Sequence, residues 1–492
     1  MEFISMILSN SQAGLIDLNL NQQQKVLGAY SYPLRLKDYS LHLLAAKPKA
    51  GQTLEEVRDL LLSQIELLKQ GKFDDWLLKA IVNDYKVSHM KAYESNKSRA
   101  DAFVTAFTSG YTWEGFVSEN VQLEDITKQD VMDFVNKYYK KNYVVVYKRN
   151  GEAENIQKVP KPSISKVEVN REKQSDFFKK IQESNVKPLS PVFVNYDKDV
   201  TKEKLKNNIP ILYQKNSENE LFELYYIFDI GTDHDKVLAL AVSYLKYIGN
   251  KKYSAEQMQQ EFYKLGCTFD VFNSNDKVYV KLTGLQENFD NALTLFESFL
   301  KNPVANQEAY NEMVNRILKS RADAKLNKRN ILTKGLVSYA KYGENSPLRN
   351  LLSEKELKAI NPADLCKKIK TLSKYKHRVV YYGPKSLTDI SEVLNKGHKS
   401  SKKKLAIPTP MKFKEKEITE NKVYFVDYEM VQSEIIFLSK SKDYDPSLVP
   451  IAKVFNEYFG GNMGSIVFQE MREAQALAYS VRSYYSLSLI HI

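Results

Sequence analysis

"ITKQDVMDFVNKYYKKNYVVVY" occupies residues 126–147, and "INPADLCKKIKTLSKYKHRVVYY" repeats its pattern at residues 360–382. The two stretches align without a gap at an offset of 360 − 126 = 234. Each starts with a helix N-cap residue, Thr127 or Asn361, and an aspartate suited to the first helical turn follows three residues later. Each then runs through a helix into a β-branched and aromatic strand. The pair predicts a duplicated structural unit.

The similarity continues upstream of both stretches. "TLEEVRDLLLSQIELLKQG" predicts a long amphipathic helix with a capping box from Thr53 to Glu56. Its end matches that of "NFDNALTLFESFLKNP", and a predicted strand, "YSLHLL" or "KVYVKL", precedes each helix. Strand, long helix, second helix, capped helix and strand therefore occur twice. This order predicts an α+β fold of repeated units, each a mostly antiparallel sheet covered by helices.

Composition limits the classes of protein that the chain can belong to. Its 492 residues predict about three domains. The formal net charge of +12 is spread over polar faces and linkers without a nucleic-acid-reading motif, so we do not expect nucleic-acid binding. No apolar run is long enough for a membrane-spanning helix. Cys267 and Cys366 form no metal-like pattern and are predicted to be buried thiols.

A second motif lies at residues 458–481, "YFGGNMGSIVFQEMREAQALAYSV". Its Gly-Gly pair is predicted to end a helix and permit a tight turn rather than to contact a ligand. Residues 7–31, "ILSNSQAGLIDLNLNQQQKVLGAYS", resemble it if two residues are inserted before the shared Ala-Tyr-Ser. The position equivalent to Arg472 then falls near Asn21 or Gln22, so only the later copy has an arginine there.

These residues resemble the insulinase/pitrilysin family of zinc metallopeptidases. The resemblance rests on the motif at 458–481, on Gln432 in "MVQSEIIF", and on residues 205–233, "LKNNIPILYQKNSENELFELYYIFDIGTD", which resemble the opening strands of a family domain. It implies four related α+β quarters arranged in two halves that close like a clam shell around a peptide. It also implies an inverted zinc motif, HxxEH, whose histidines hold Zn²⁺ and whose glutamate activates the bound water.

The resemblance also implies a domain organisation. Residues 1–150 correspond to most of a second quarter, and residues 196–395 to a third quarter that lacks HxxEH. Residues 421–492 correspond to the start of a fourth quarter, and the closing "LSLIHI" is interpreted as a truncation scar. Linkers are predicted at 151–195 and 396–420. On this interpretation the chain is a fragment that lacks the zinc-binding first quarter and most of the fourth.

No HxxEH motif occurs in this sequence, and no histidine has another histidine four residues away. In the third quarter the motif would fall on Leu240, Ser243 and Tyr244, none of which supplies an imidazole or a carboxylate. We therefore predict no catalytic residue and no metal ligand in this chain. The Zn²⁺ of an intact family member would be bound by residues that this chain does not carry.

The resemblance places the substrate-binding residues of the family at Arg472 and Tyr479. A guanidinium can grip a peptide carbonyl or carboxylate with two parallel hydrogen bonds, and a phenol can donate to a developing oxyanion. Each residue also has a purely structural interpretation. Arg472 would offset a helix dipole near a C-terminal end, and Tyr479 would be an ordinary aromatic residue of a half-buried strand.

The resulting hypothesis is a part of a zinc-dependent metalloendopeptidase that hydrolyses peptides in an enclosed chamber. This chain would supply substrate-binding and enclosing domains, and we expect it to be inactive alone. The alternative is a non-catalytic peptide-binding or assembly subunit that partners an active peptidase chain. The expected partners are a peptide or small unfolded protein, and the missing N-terminal quarter or a peptidase subunit. Any signal peptide would lie in the missing part, and the interpretation leans toward an extracytoplasmic, periplasmic location.

Overall fold

The computed structural model describes residues 1–36, 38–151, 160, 174–441 and 444–486. The segment interpreted as a truncation scar and much of the first predicted linker lie outside these residues. Contacts divide the chain into two compact units. Unit 1 comprises residues 1–326 and 350–412, and unit 2 comprises residues 327–349 and 413–492. In the described ranges no helix is both long and apolar enough to cross a membrane.

The first repeat copy is mostly helical and has one hairpin, in which β1 and β2 pair antiparallel from Gly28 opposite Lys47 to Arg35 opposite Ser40. Its elements are α1 (Glu2–Leu8), a π-helical turn (Asp17–Gln22), β1 (Gly28–Arg35), β2 (Ser40–Lys47), α2 (Leu54–Lys69), α3 (Trp76–Ala92), α4 (Asn96–Thr108), α5 (Trp113–Gln122), α6 (Lys128–Tyr138) and, after the copy, α7 (Asp176–Gln182).

The second copy contains the main sheet. Residues 201–397 form β3 (Thr201–Leu205), β4 (Ile209–Lys215), β5 (Leu221–Phe228), α8 (Lys236–Tyr244), β6 (Gly249–Asn250), α9 (Ala255–Lys264), β7 (Cys267–Asn273), β8 (Val278–Leu285), α10 (Phe289–Lys301), β9 (Pro303–Val304), α11 (Gln307–Leu326), α12 (Lys328–Asn330), α13 (Val337–Tyr342), α14 (Glu354–Ala359), α15 (Pro362–Thr371), β10 (His377–Gly383) and α16 (Leu387–Gly397). Of these, α12 and α13 belong to unit 2.

Six of these strands form one sheet in the order β3-β4-β10-β5-β8-β7. β10 pairs parallel with β4, and every other pairing in the sheet is antiparallel. Along β10, His377, Val379 and Tyr381 are buried, which is the alternation expected of a strand with one face on a core. α8, α10 and α15 pack their apolar residues into the same core. The predicted α+β class and mostly antiparallel sheet are confirmed.

The order of elements recurs in the two copies, from α1 and α8, through the hairpins β1-β2 and β7-β8, to the capped helices α6 and α15. The predicted caps are present. Thr53 and Glu56 form a capping box at α2, Thr127 and Asp130 form another at α6, and the Asn361 side chain accepts from the N–H of Ala363. Each cap satisfies backbone N–H groups that the first helical turn leaves unpaired.

The predicted strand at 143–147 is wrong, because these residues form no strand and Val144 and Val146 are 88% and 87% exposed. The corresponding β10 lies between β4 and β5, whereas β1 and β2 of the first copy pair only with each other in the described part of the chain. A strand needs a backbone partner as well as a suitable sequence. Residues 421–492, interpreted as the start of a further α+β quarter, likewise contain no strand among the described residues.

A buried polar cluster joins β5, α10, β10 and the end of α16. Tyr226 Oη donates to Glu297 Oε1 at 2.6 Å, and His398 Nδ1 lies 2.8 Å from the same oxygen. His398 Nε2 lies 2.9 Å from Nε2 of His377, whose Nδ1 is 2.8 Å from the carbonyl oxygen of Tyr375. A carbonyl only accepts, so His377 carries its proton on Nδ1 and accepts at Nε2. His398 therefore donates from Nε2, and a proton lies between its Nδ1 and Glu297.

Both cysteines are free and buried, as predicted. Burial raises the pKa of the Cys267 thiol to about 12 and also raises the pKa of Cys366. A thiol that resists ionisation is a poor nucleophile and a poor metal ligand. The two side chains therefore act as small apolar residues of the core.

Candidate functional site

The motif at 458–481 lies in unit 2. It follows α17 (Val449–Asn456), which continues into the motif as a π-helical segment, Glu457–Gly461. The helix ends at Gly461, so the prediction that the glycine pair terminates it is confirmed. Gly460 has a further role, because a Cβ there would collide with the backbone of Ser483. Asn456 holds the same segment, and its Nδ2 donates to the carbonyl oxygen of Tyr485 at 2.9 Å. The glycine thus lets residues 483–485 lie against the helix.

Arg472 and Tyr479 lie side by side. Arg472 is in a π-helical segment, Phe468–Ala474, and its guanidinium carbon is 5.0 Å from the ring centroid of Tyr479. The same carbon is 4.6 Å from the ring centroid of Phe468, so the guanidinium lies against two rings. Its Nε is 3.5 Å from Glu473 Oε1, and the side chain is 36% exposed. Tyr479 itself is 85% exposed and lies in a bend rather than in the predicted strand.

This arrangement leaves hydrogen-bond donors available. Cation–π contacts occupy the faces of a guanidinium, whereas its N–H groups point outward in the guanidinium plane. The exposed Tyr479 ring keeps its hydroxyl open to solvent. The pair can therefore present an arginine fork and a phenol to one polar group of a ligand.

Sequence reasoning did not find Phe468. The spacing could have predicted the contact, because Phe468 and Arg472 are four residues apart on one helix face and side chains at that spacing meet. The ring limits the rotamers of the arginine and so lowers the entropy lost when the guanidinium binds a ligand.

The equivalent positions of the early copy are occupied by structural contacts. Asn21 Nδ2 donates to the carbonyl oxygen of Ala29 at 2.8 Å, and the N–H of Ala29 donates back to Asn21 Oδ1 at 2.8 Å. Gln22 Nε2 donates to the carbonyl oxygen of Lys246 at 3.3 Å, and Gln22 Oε1 accepts from Gln259. These amides secure the turn into β1 and the contact with the second copy.

Leu240, Ser243 and Tyr244, the positions predicted to correspond to HxxEH, lie on α8 of unit 1. Asp235 starts this helix by accepting from the N–H groups of Val237 and Leu238, both at 2.9 Å. Leu240 and Ser243 line a cleft of about 160 Å³, and Ser243 Oγ donates to the carbonyl oxygen of Ala239 at 3.1 Å.

Tyr244 points elsewhere, into the core. It is fully buried, its hydroxyl donates to the carbonyl oxygen of Asn306 at 2.6 Å, and it accepts from the N–H of Asn306 at 2.8 Å. These side chains do not fit a zinc ion, because Leu240 is aliphatic, the Ser243 hydroxyl already donates to the backbone and the Tyr244 phenol is buried. Throughout the residues that the structure describes, no group of three or more His, Cys, Asp and Glu is arranged to hold a metal.

Tyr244 should be required for stability rather than for chemistry. Tyr244→Phe removes the hydroxyl that pairs with both backbone groups of Asn306. Leaving buried polar groups unpaired costs about 1–3 kcal/mol each, so we expect the free energy of unfolding in urea to fall by about 2 kcal/mol. Ser243→Ala, which removes a hydroxyl on the cleft side of the same helix, should cost less than about 1 kcal/mol. Equal effects would contradict the structural role of Tyr244.

Two family models match the chain. One, described as insulinase (peptidase family M16), matches residues 240–352, and the other, described as the peptidase M16 inactive domain, matches residues 373–490. No curated protein matches in sequence.

Several solved structures are similar to the chain. A peptidase M16 inactive domain from Pseudomonas fluorescens is 19% identical with a TM-score of 0.45, covering 58% of this chain and 71% of that one. A protease from Helicobacter pylori is 14% identical with a TM-score of 0.44 and the same two coverages. The periplasmic protease PqqL from Escherichia coli is 11% identical with a TM-score of 0.40, covering 84% of this chain. The match spans 48% of the PqqL chain.

Proposed function

Because the chain belongs to the M16 peptidase family through residues 240–352 and 373–490, we propose that it supplies peptide-binding and enclosing domains of a zinc-dependent metalloendopeptidase, without its metal site. The observation that carries the proposal is the contact between Arg472 and Tyr479, with both side chains accessible to a ligand. The occupation of the HxxEH positions by Leu240, Ser243 and Tyr244 supports the second half of the proposal.

In this role Arg472 binds and orients the peptide. Two guanidinium N–H groups form parallel, charge-assisted hydrogen bonds to a carbonyl or carboxylate oxygen. Tyr479 donates its phenolic proton to a neighbouring carbonyl oxygen, and Phe468 keeps the guanidinium in place. Holding a peptide in one register is worth several kcal/mol to a reaction carried out by other groups.

The family is generally zinc-dependent, and bound zinc supplies an activated water for peptide hydrolysis. The residues of α8 do not fit that ion. No step of hydrolysis is therefore assigned to this chain, and its contribution is confined to binding, orienting and enclosing the substrate.

Peptide binding by this chain should depend on Arg472. Fluorescence anisotropy with a labelled unstructured peptide should show an affinity at least roughly tenfold weaker for Arg472→Gln, since an arginine that anchors an interface contributes more than 1 kcal/mol. Tyr479→Phe should weaken binding by a smaller factor. The matched control is Arg482→Gln, which removes an exposed cation of the same segment and should leave binding unchanged.

A parallel assay tests the missing metal site. A quenched peptide incubated with the chain and zinc should release no product, with or without a chelator. Chelator-sensitive hydrolysis, or peptide binding that Arg472→Gln and Arg482→Gln weaken equally, would contradict the proposal.

The second candidate is a non-catalytic subunit that partners an active peptidase chain. The match of residues 373–490 to an inactive domain favours it. Both candidates predict peptide binding through Arg472. They differ when an independently folded, HxxEH-bearing M16 chain is added, since only a dedicated subunit forms a stable complex with it during size-exclusion chromatography.

A further inference from the structure

The cleft lined by Leu240 and Ser243 is a second candidate binding site. One wall is formed by Leu240 and Ser243 of α8. Arg321 of α11 and residues 350–352 contribute to its lining, and Lys236 at the start of α8 completes the set of charged lining residues. All of these residues belong to unit 1. The lining therefore contains two cations and no carboxylate.

The two cations are not neutralised by neighbouring acids. Across the described ranges neither Lys236 nor Arg321 has a carboxylate oxygen within the 4.0 Å of an ion pair. The hydrogen bonds from Ser353 lower the pKa of the Glu356 carboxyl, and Lys236 adds to this at longer range. Arg321 Nη1 donates to the carbonyl oxygen of Leu352 at 2.7 Å. That bond anchors the guanidinium and leaves most of its five N–H groups available.

The acids that neighbour these cations in sequence, and Glu356, are already engaged. Asp323, two residues after Arg321, pairs with Lys47 and Lys319. Asp235 caps α8 and pairs with Lys368 at 2.5 Å. Asp233 accepts from Asn350 Nδ2 at 3.1 Å. Glu356 Oε2 accepts from the N–H and the hydroxyl of Ser353 at 2.6 and 2.7 Å. None of these carboxylates lines the cleft.

The neutral polar residues of the cleft are bonded to the protein. Thr232 Oγ1 donates to Asn273 Oδ1 at 3.1 Å, and Asn273 Nδ2 donates to the carbonyl oxygen of Ala239 at 3.3 Å. Ser243 donates to the same carbonyl. The donors left for a ligand are therefore mainly those of the two cations, which favours an anion.

The volume of the cleft limits the size of that anion. At about 30 Å³ per water, 160 Å³ corresponds to about five water molecules. Pockets for drug-sized ligands measure about 300–1,000 Å³. The cleft can therefore take the end of a larger molecule rather than a whole ligand. Leu240, Ile317 and Leu357 offer an apolar surface beside the cations.

We propose that this cleft binds the C-terminal carboxylate of a peptide, with Arg321 and Lys236 holding the carboxylate and the terminal side chain lying against Leu240 and Ile317. The peptide nature of the ligand rests on the proposed function. The carboxylate chemistry rests on the two cations alone. A guanidinium suits a carboxylate because its N–H groups match the two oxygens.

The test uses two labelled peptides of one sequence that end in leucine, one with a free carboxylate and one with a C-terminal amide. We expect anisotropy to give at least roughly tenfold weaker binding for the amide, because hydrogen bonds to a charged group are among the stronger ones. Arg321→Gln and Lys236→Gln should each reduce the difference between the two peptides. Lys319→Gln is the matched control, since Lys319 is also on α11 but pairs with Asp323 and does not line the cleft.

Further arms separate the possible outcomes. Acetate at millimolar concentration should compete weakly with the labelled free-acid peptide. An amidated peptide with an internal glutamate should bind no better than the other amidated peptide. Equal binding of the acid and amide peptides by the unsubstituted chain would overturn the proposal without any variant. If Arg472→Gln abolishes peptide binding and the unsubstituted chain binds the acid and amide peptides equally, the proposed function stands and the cleft proposal is rejected. A retained preference in Arg472→Gln would support the cleft independently.

Discussion

Glu297→Gln is expected to lower the free energy of unfolding by about 2 kcal/mol, because it removes the buried carboxyl group that shares a proton with His398 and accepts from Tyr226. Glu297 Oε1 receives hydrogen bonds from Tyr226 Oη and His398 Nδ1, and the side chains of His398 and Glu297 are 3% and 18% exposed. A buried polar group left without its partner costs about 1–3 kcal/mol, which sets the range of the expected effect. Urea unfolding followed by circular dichroism measures it.

Two controls separate the contact of Glu297 with His398 from its surroundings. Tyr226→Phe removes only the neutral donor to the same oxygen and should cost about 1 kcal/mol. Glu261→Gln breaks an exposed pair with Lys264 and should cost less than about 0.5 kcal/mol. If Glu297→Gln is no more destabilising than Glu261→Gln, the contact of Glu297 with His398 and Tyr226 does not stabilise the fold.

Acid should destabilise the fold through His377. Burial lowers the pKa of His377 to about 4, and the neighbouring His398 and Lys404 act in the same direction, while the hydrogen bond to Tyr375 opposes them. The unfolded chain binds the proton near pH 6.5, so between pH 6.5 and 4 the unfolded state holds more protons than the folded one. The free energy of unfolding therefore loses nothing through His377 above pH 6.5 and falls as the pH decreases below it. The loss attributable to His377 is about 3–4 kcal/mol, because its pKa falls from 6.5 to about 4 on folding and each pH unit is worth about 1.4 kcal/mol.

Unfolding free energies measured in steps from pH 7 to 4 test this expectation. His377→Asn keeps a donor near the carbonyl of Tyr375 but does not titrate, so the decline with pH should become shallower. A part of the decline should persist, because burial also lowers the pKa of His42 to about 4. A variant with an unchanged pH slope would show that His377 does not control the acid transition.

Local features were predictable because they depend on residues a few positions apart. The capping boxes at Thr53 and Thr127 and the helix end at Gly461 were visible in the sequence. Each follows from hydrogen bonds or side-chain chemistry within one helical turn. The contact of Arg472 with Tyr479 follows from a short stretch of chain as well, whereas its use in binding peptide stays a prediction.

Strand formation was not predictable from the same patterns. "YVVVY" and "RVVYY" are nearly equivalent in sequence, yet only the second is a strand, because β4 and β5 lie on either side of β10. The sequence also did not predict the cleft lined by Leu240 and Arg321 or the contact of Glu297 with His398, because each joins residues that are far apart in the chain.

The sequence by itself determined the α+β class, the caps at Thr53, Thr127 and Asn361, and the spacing of the candidate binding pair. Only the tertiary structure decided which strands pair, which cations lack an acidic partner and which histidines share a proton. The reason is physical. Caps and helical periodicity act over about four residues, whereas backbone pairing and burial depend on groups brought together from distant parts of the chain.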